Sequence, residues 1–389
     1  MGTQRKTALL ILISLYILAV GLFTSISLMT GFHLLMIPAI LLSAKDYDWK
    51  KFPRSGWALL AFAMALVLSV VVNRNIILRP SKNIFKTKYF LIGALSLIPL
   101  QFYFQQYLTV EKRRKVLGTL FFVLLTSACV ATLSGLIGYF TGFNPLRMVH
   151  VSSNRNGGLF GMLITYAHSI AWLSVFLVGI GCHYEHFKSL ISKKWLYFFT
   201  AVSLVGLFAT HTRGAWISFL VGCSLINKKL TGVMCLLTVL GVIGLSLHNP
   251  HFWEEEIVRR GSNSERWGSA LAAVKAFQEK PLFGYGYLNF EPNSPEIKAR
   301  YQLPEPDFGG HAHNELLEIF ATSGIFGAVC FVVWLILWIR EIRNKNSSTA
   351  KLVLPFIGAF LASGLTHVSL NDGENAFFLM IFYALSEVL

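Results

Sequence analysis

Two kinds of side chain in this sequence suit the handling of a phosphate and a proton, and both stand where apolar stretches end. Arg213 lies in Thr210-His211-Thr212-Arg213-Gly214-Ala215-Trp216, a very short turn between two apolar runs. A guanidinium there offers a planar fork for a phosphate; the plainer alternative is an arginine snorkelling from a helix end, with Trp216 as an interfacial anchor. Arg259, Arg260 and Arg266 form a second basic group, where the alternative is ordinary solvation. Arg155, in Asn154-Arg155-Asn156-Gly157-Gly158, is a further anion candidate, because neighbouring glycines let backbone amides approach a ligand.

Proton chemistry points to Gly309-Gly310-His311-Ala312-His313-Asn314-Glu315, immediately before an apolar run. A histidine with an ordinary pKa of about 6.5 serves as a general base. The alternatives are a hydrogen-bonded histidine at a helix start, or a metal site completed by Asp307 or Glu315. Loose spacing and the lack of a second His/Cys pair argue against metal, so neither metal nor cofactor is expected.

The elements that must position these residues are membrane helices. Of 389 residues, 54% are apolar and only 14% charged, against roughly 45–50% and 25% in soluble domains. A water-soluble globule and a disordered chain are both excluded. Windows of about 20 apolar residues give twelve candidate spans, near 8–28, 31–44, 56–73, 89–108, 116–140, 158–182, 195–210, 214–226, 231–248, 315–339, 352–370 and 375–389. Backbone groups in lipid must pair internally, so the fold expected is all-α: a polytopic membrane protein with about 12 transmembrane helices and one large outer helical loop. The division is 1–248 (spans one to nine), 249–314 (the outer loop with the candidate residues) and 315–389 (spans ten to twelve). The first apolar stretch is too long for a signal-peptide core and reads as a retained span.

Charge orients this map. Alternate connections hold 19 of the 34 Lys and Arg residues, marking them as cytoplasmic together with both termini. The net charge of +15 therefore reflects orientation at a membrane rather than nucleic acid. The segment 74–88 carries five basic residues on the outer side, either as a strip facing anionic lipid or because a span is misplaced. All five cysteines lie in or beside apolar runs, so no disulfide framework is expected. Within the long outer segment, Ser262-x-x-Glu265 has capping-box spacing, Trp267, Leu271, Val274 and Phe277 form an apolar face, and Pro281 ends the helix before a turn at Gly284 and Gly286.

The residues alone leave a transferase and an anionic-lipid transporter or flippase both open. The transporter predicts ionisable residues at depth; His33, His168 and His367 are the only candidates, and lone histidines are more often hydrogen-bonded core residues.

The C-terminal third resembles the bacterial O-antigen ligase/polymerase superfamily. His313-Asn314, nine residues, then Gly324-Ile325-Phe326-Gly327 matches that family's motif leading from its large loop into a span. Thr212-Arg213-Gly214-Ala215-Trp216, and the segment from Arg266-Trp267 through Pro281-Leu282-Phe283-Gly284-Tyr285-Gly286, resemble it further. The resemblance covers about residues 150–340 closely; the first 150 match only as spans. It implies an inner-membrane glycosyltransferase acting at the periplasmic face, metal-independent and inverting. The donor would be a glycan on undecaprenyl pyrophosphate and the acceptor a hydroxyl of lipid A–core, as in an O-antigen ligase; a repeat-unit polymerase of the same superfamily is the alternative. On that resemblance His313 is the base, oriented by Asn314 or His311. Arg213 and Arg266 clamp the pyrophosphate, with Arg155, Arg259 and Arg260 as helpers.

Overall fold

The computed structural model describes residues 2–151, 155–248, 253, 258, 260–345 and 347–388, and is almost entirely helical. In chain order its first helices are α1 (Gly2–Thr24), α2 (Ile26–Ala44), α3 (Arg54–Val72), α4 (Pro80–Lys86), α5 (Lys88–Leu95), α6 (Leu97–Gln101) and α7 (Val110–Thr141). After a two-residue β-hairpin pairing Phe143–Asn144 with Val149–His150 come α8 (Leu163–Cys182), α9 (Tyr184–Phe187), α10 (Lys193–Phe208), α11 (Arg213–Ile226) and α12 (Lys228–His248). The remainder are α13 (Arg260–Glu279), α14 (Phe290–Arg300), α15 (Glu315–Asn344), α16 (Ser347–Ser363) and α17 (Gly373–Val388). Among the described residues six helices are long and apolar enough to cross a membrane: α1, α2, α3, α7, α8 and α15. The chain is an all-α polytopic membrane protein.

A helix falls in each expected span, though the one expected over 352–370 ends at Ser363 and two spans are interrupted. The stretch 89–108 is not continuous but runs as α5, α6 and a π-helical turn over Phe102–Tyr107. Pro99 has no N–H for the Leu95 carbonyl and its ring crowds that oxygen, so the helix is interrupted there. Small residues allow close packing elsewhere: a Cβ on Gly222 of α11 would lie 2.6 Å from Val175 of α8, the usual device where helices meet in lipid.

Successive spans run up and down, so their connections fall at two ends. At one end Asn83 Nδ2 donates to the Tyr287 carbonyl (2.9 Å) and Lys280 Nζ to Asn73 Oδ1 (3.0 Å). The basic segment 74–88 and the end of α3 thus lie against residues 280–287 of the long segment 249–314. At the opposite end Ser55 N donates to Glu341 (3.2 Å) and Lys345 pairs with Glu387 (3.1 Å).

The long segment differs from expectation in its helix. α13 begins at Arg260, so Ser262 and Glu265 lie inside it rather than capping it. Its buried stripe is Gly268, Ser269, Ala272, Ala273 and Ala276, whereas Trp267 is 62% exposed. The small side chains admit close neighbours: a Cβ on Gly268 would meet the Pro304 carbonyl at 2.3 Å. Of the anticipated apolar face, Phe277 does turn inward, its ring 4.8 Å from Phe320 of α15. Pro281 ends the helix as expected, and residues 281–286 then pair backbone to backbone with α15. Tyr285 N donates to Ala321 O and Gly286 N to Thr322 O, both at 2.8 Å, and Ile325 N returns a bond to Pro281 O at 2.8 Å. The exchange requires α15 to kink at Gly324, whose φ of 64° and ψ of −160° are open essentially to glycine alone. A Cβ there would sit 2.3 Å from Leu282 O, and one on Gly284 2.5 Å from Thr322.

Candidate active site

Three arginines from separate parts of the chain line a single cleft. Arg155, Arg213 and Arg266 border it together with His168, Thr212, Gly214 and Thr366. Arg213 is the first residue of α11, whose N-cap is Thr212; a helix N-terminus carries partial positive charge and favours an anion. The turn before it is tight, with His211 at φ 49°. Arg155 holds that turn, donating from Nε to Thr210 O (2.8 Å) and from Nη2 to His211 O and Thr212 Oγ1 (3.0 Å each). Arg155 therefore positions Arg213 while itself bordering the cleft. Gly214 lets α11 come close to the segment after α16, since a Cβ would fall 2.2 Å from Thr366 Oγ1. Arg213 Nη2 donates to Asn263 Oδ1 on α13 at 3.1 Å. Arg266 follows Asn263 by three residues, placing it on the same side of that helix.

A row of imidazoles joins the cleft to the start of α15. The His313 and His311 rings lie 4.3 Å apart, edge to face; His311 is 5.7 Å from His367, and His367 stacks on His168 at 4.7 Å. His168 also lines the arginine cleft. Its Nδ1 shares a hydrogen bond of 2.8 Å with Ser363 Oγ, which also accepts from Trp172 Nε1 at 2.9 Å. His367 Nε2 bonds Asp372 Oδ2 at 2.8 Å, and Thr165 Oγ1 donates to the same oxygen at 2.8 Å.

The electrostatics keep the loop imidazoles neutral. Burial, then the positive charges of His311 and Arg266, push the His313 pKa down to about 2. Burial and His367 lower His311 to about 4, against an upward pull from Asp372. Burial would raise the Asp372 carboxyl, but its bonds from His367 and Thr165 hold it below the usual range. At neutral pH both loop histidines have an unprotonated nitrogen, the form that accepts a proton. His313 sits at φ 51°, and its buried Nδ1 has no hydrogen-bond partner among the described residues.

Two glutamates of α15 secure the loops around the row. Glu315 Oε2 accepts from Ser369 N at 2.7 Å. Glu318 accepts from Ala312 N and from Asn371 Nδ2, both at 2.8 Å. Glu315 is thereby turned to backbone amides and not to His311 or His313, and Asp307 is exposed. No group of three or more His, Cys, Asp or Glu among the described residues is arranged to hold a metal ion.

The residues singled out from sequence are thus sorted by the structure. Arg155, Arg213 and Arg266 converge, and His311 and His313 adjoin them through His367 and His168. Asn314 caps α15, its Oδ1 accepting from Leu317 N at 3.0 Å; this fixes the backbone beside His313, while the ring neighbouring His313 is His311. Arg260 opens α13, and Arg259 lies outside the described residues. Sequence reasoning took His168 and His367 for core histidines and passed over Asp372. The expected span 352–370 absorbed Thr366 to Leu370, but the helix ends at Ser363, and the available signal was the polar character of Thr366-His367-Val368-Ser369-Leu370-Asn371-Asp372. His33, the remaining deep histidine, packs among Phe32, Tyr89 and Phe377, away from this row.

Fold and cleft together define a polytopic membrane protein that gathers arginines and neutral histidines at one end of a helical bundle. Residues 198–332 match the family model described as O-antigen ligase, and that match supports the resemblance to the O-antigen ligase superfamily. The matched stretch holds Arg213, Arg266, His311 and His313; Arg155, His168, His367 and Asp372 lie outside it. Members of the family are membrane glycosyltransferase-like enzymes. None of the curated proteins matches the chain.

Proposed function

We propose that the chain is an O-antigen ligase, moving a glycan from undecaprenyl pyrophosphate to a hydroxyl of lipid A–core. The observation that carries this reading is the convergence of Arg155, Arg213 and Arg266 on one cleft beside the histidine row. The acceptor oxygen attacks the anomeric carbon as the bond to the pyrophosphate oxygen breaks, and the pyrophosphate departs with that electron pair. Negative charge grows on the departing group, and fixed guanidiniums stabilise it without reorganising. Arg213 and Arg266 make this contact, while Arg155 holds the Arg213 turn.

The acceptor proton goes to His313, already neutral and carrying a nitrogen unpartnered among the described residues, with His311 against it. A single displacement inverts the anomeric centre. The site belongs at the periplasmic face of the bacterial inner membrane, with both termini cytoplasmic. Segment 249–314, set between the membrane regions 1–248 and 315–389, contributes its arginines and histidines.

Deletion in the native host, read on a lipopolysaccharide gel, tests the acceptor. The expected result is bare lipid A–core with polymer accumulating on the undecaprenyl carrier. Core capped by a single repeat unit would identify a polymerase instead, and an unchanged pattern would exclude lipid A–core as the acceptor.

A further inference from the structure

At the other end of the bundle is a cavity of about 340 Å³, within the range of ligand sites. Its walls come from five helices, represented by Leu18 of α1, Leu120 of α7, Phe176 of α8, Phe356 of α16 and Phe382 of α17. Along α17 the lining runs from Phe378 to Ser386, about 12 Å at 1.5 Å per residue. It reaches the end of the bundle where Phe187 and Leu190 of the 183–192 connection and Thr349 line it.

Water does not suit this space, because a buried water needs two to four polar partners. The polar side chains of the lining are those of Thr349 and Ser386, and Ser386 Oγ is already bonded to Trp338 Nε1 (2.9 Å) and Tyr383 O (2.8 Å). Vacancy is also unfavourable, since the whole lining would lose its dispersion contacts. The fitting occupant is an apolar chain. The end of the bundle that the lining reaches carries basic connections: Lys351, next to the lining residue Leu352, is exposed there, and Lys188 follows the lining residue Phe187.

We propose that this cavity holds one acyl chain of an anionic membrane phospholipid, its phosphate at the lysine-rich end of the bundle. The site is separate from the arginine cleft and stands whether or not the chain is a ligase. Bound lipid tethers α1, α7 and α17 to α8 and α16.

The test is native mass spectrometry of the protein purified from cell membranes, with the bound lipid identified. One phospholipid per chain is expected, with anionic species retained over neutral ones in nanodiscs offering both. Leu120→Trp fills the space and should cut retention about ten-fold, whereas Leu9→Trp on the outward face of α1 should leave it unchanged. Ala19→Phe, on another wall, replaces Leu120→Trp if that protein does not insert. No retained lipid, a retained polyprenyl phosphate, equal retention of neutral phospholipid, or undiminished retention in an inserted, filled variant would each overturn the proposal. If neither filled variant inserts, the identity and charge of the lipid on the unmodified protein decide it.

Discussion

At the scale of single residues, the site separates charge from proton acceptance. Guanidiniums remain cationic at any working pH, while burial keeps His311 and His313 neutral. Replacing His313 by alanine is expected to slow transfer by about 10²–10⁴-fold, the usual contribution of a general base, with insertion and thermal stability retained. Near-normal turnover by an inserted variant would move the base to His311 or His367. The lowered pKa values also set a pH dependence. An ordinary histidine loses half its base form near pH 6.5; here the rate should stay flat from pH 8 to pH 5, because His313 is lowered further than His311 and is still neutral there. Stability follows the same sign. The unfolded histidines take up protons below about 6.5 while the folded ones resist, so stability is complete above that pH and declines as pH drops towards the folded values. A rate profile breaking at 6.5 would show that the base is an unperturbed histidine.

At the scale of secondary-structure elements, two glycine-bearing segments hold one another in place. Segment 281–286 and the kink of α15 exchange backbone hydrogen bonds. Gly324→Ala would place a methyl group 2.3 Å from Leu282 O at a φ closed to alanine. A loss of about 1–3 kcal/mol or more is expected, the range for backbone strain of this kind, measurable as a lower melting temperature in detergent. Gly241→Ala in α12, where nothing lies within 4 Å of the new methyl, is the matched control and should be neutral or mildly stabilising. If both variants melt alike, the kink is not held by this contact. The start of α15 and the 281–286 turn were legible as motifs. The buried face of α13 was not, because large apolar residues attract notice in a sequence while close packing there selects Gly, Ser and Ala.

Across the whole molecule the two ends differ in kind, one gathering the arginines and histidines and the other the basic connections. That division predicts sidedness. A membrane-impermeant thiol reagent applied to intact spheroplasts, on a background with the five native cysteines replaced, should modify Phe85→Cys and Trp267→Cys alike, both positions being more than 60% exposed. Lys188→Cys should react only after permeabilisation. Modification of Phe85→Cys together with Lys188→Cys would break the up-and-down order of the spans.

What the sequence determined by itself was the solvent of the chain and the inventory of its chemistry. Long apolar runs and loop charge are local properties, so a helix was placed in each of the twelve expected stretches, while the break near Pro99, the kink at Gly324 and the end of α16 at Ser363 went unread. Arg213, Arg266, His311 and His313 were identified because charged or titratable groups beside such runs are conspicuous. The tertiary structure alone decided that Arg155, Arg213 and Arg266, separated by up to 111 positions, border one cleft. It likewise decided that His168 and His367 stack, and that Asp372 completes their row. Those contacts depend on how closely helices approach at Gly214, Gly284 and Gly324, and such approach is a property of two segments at once.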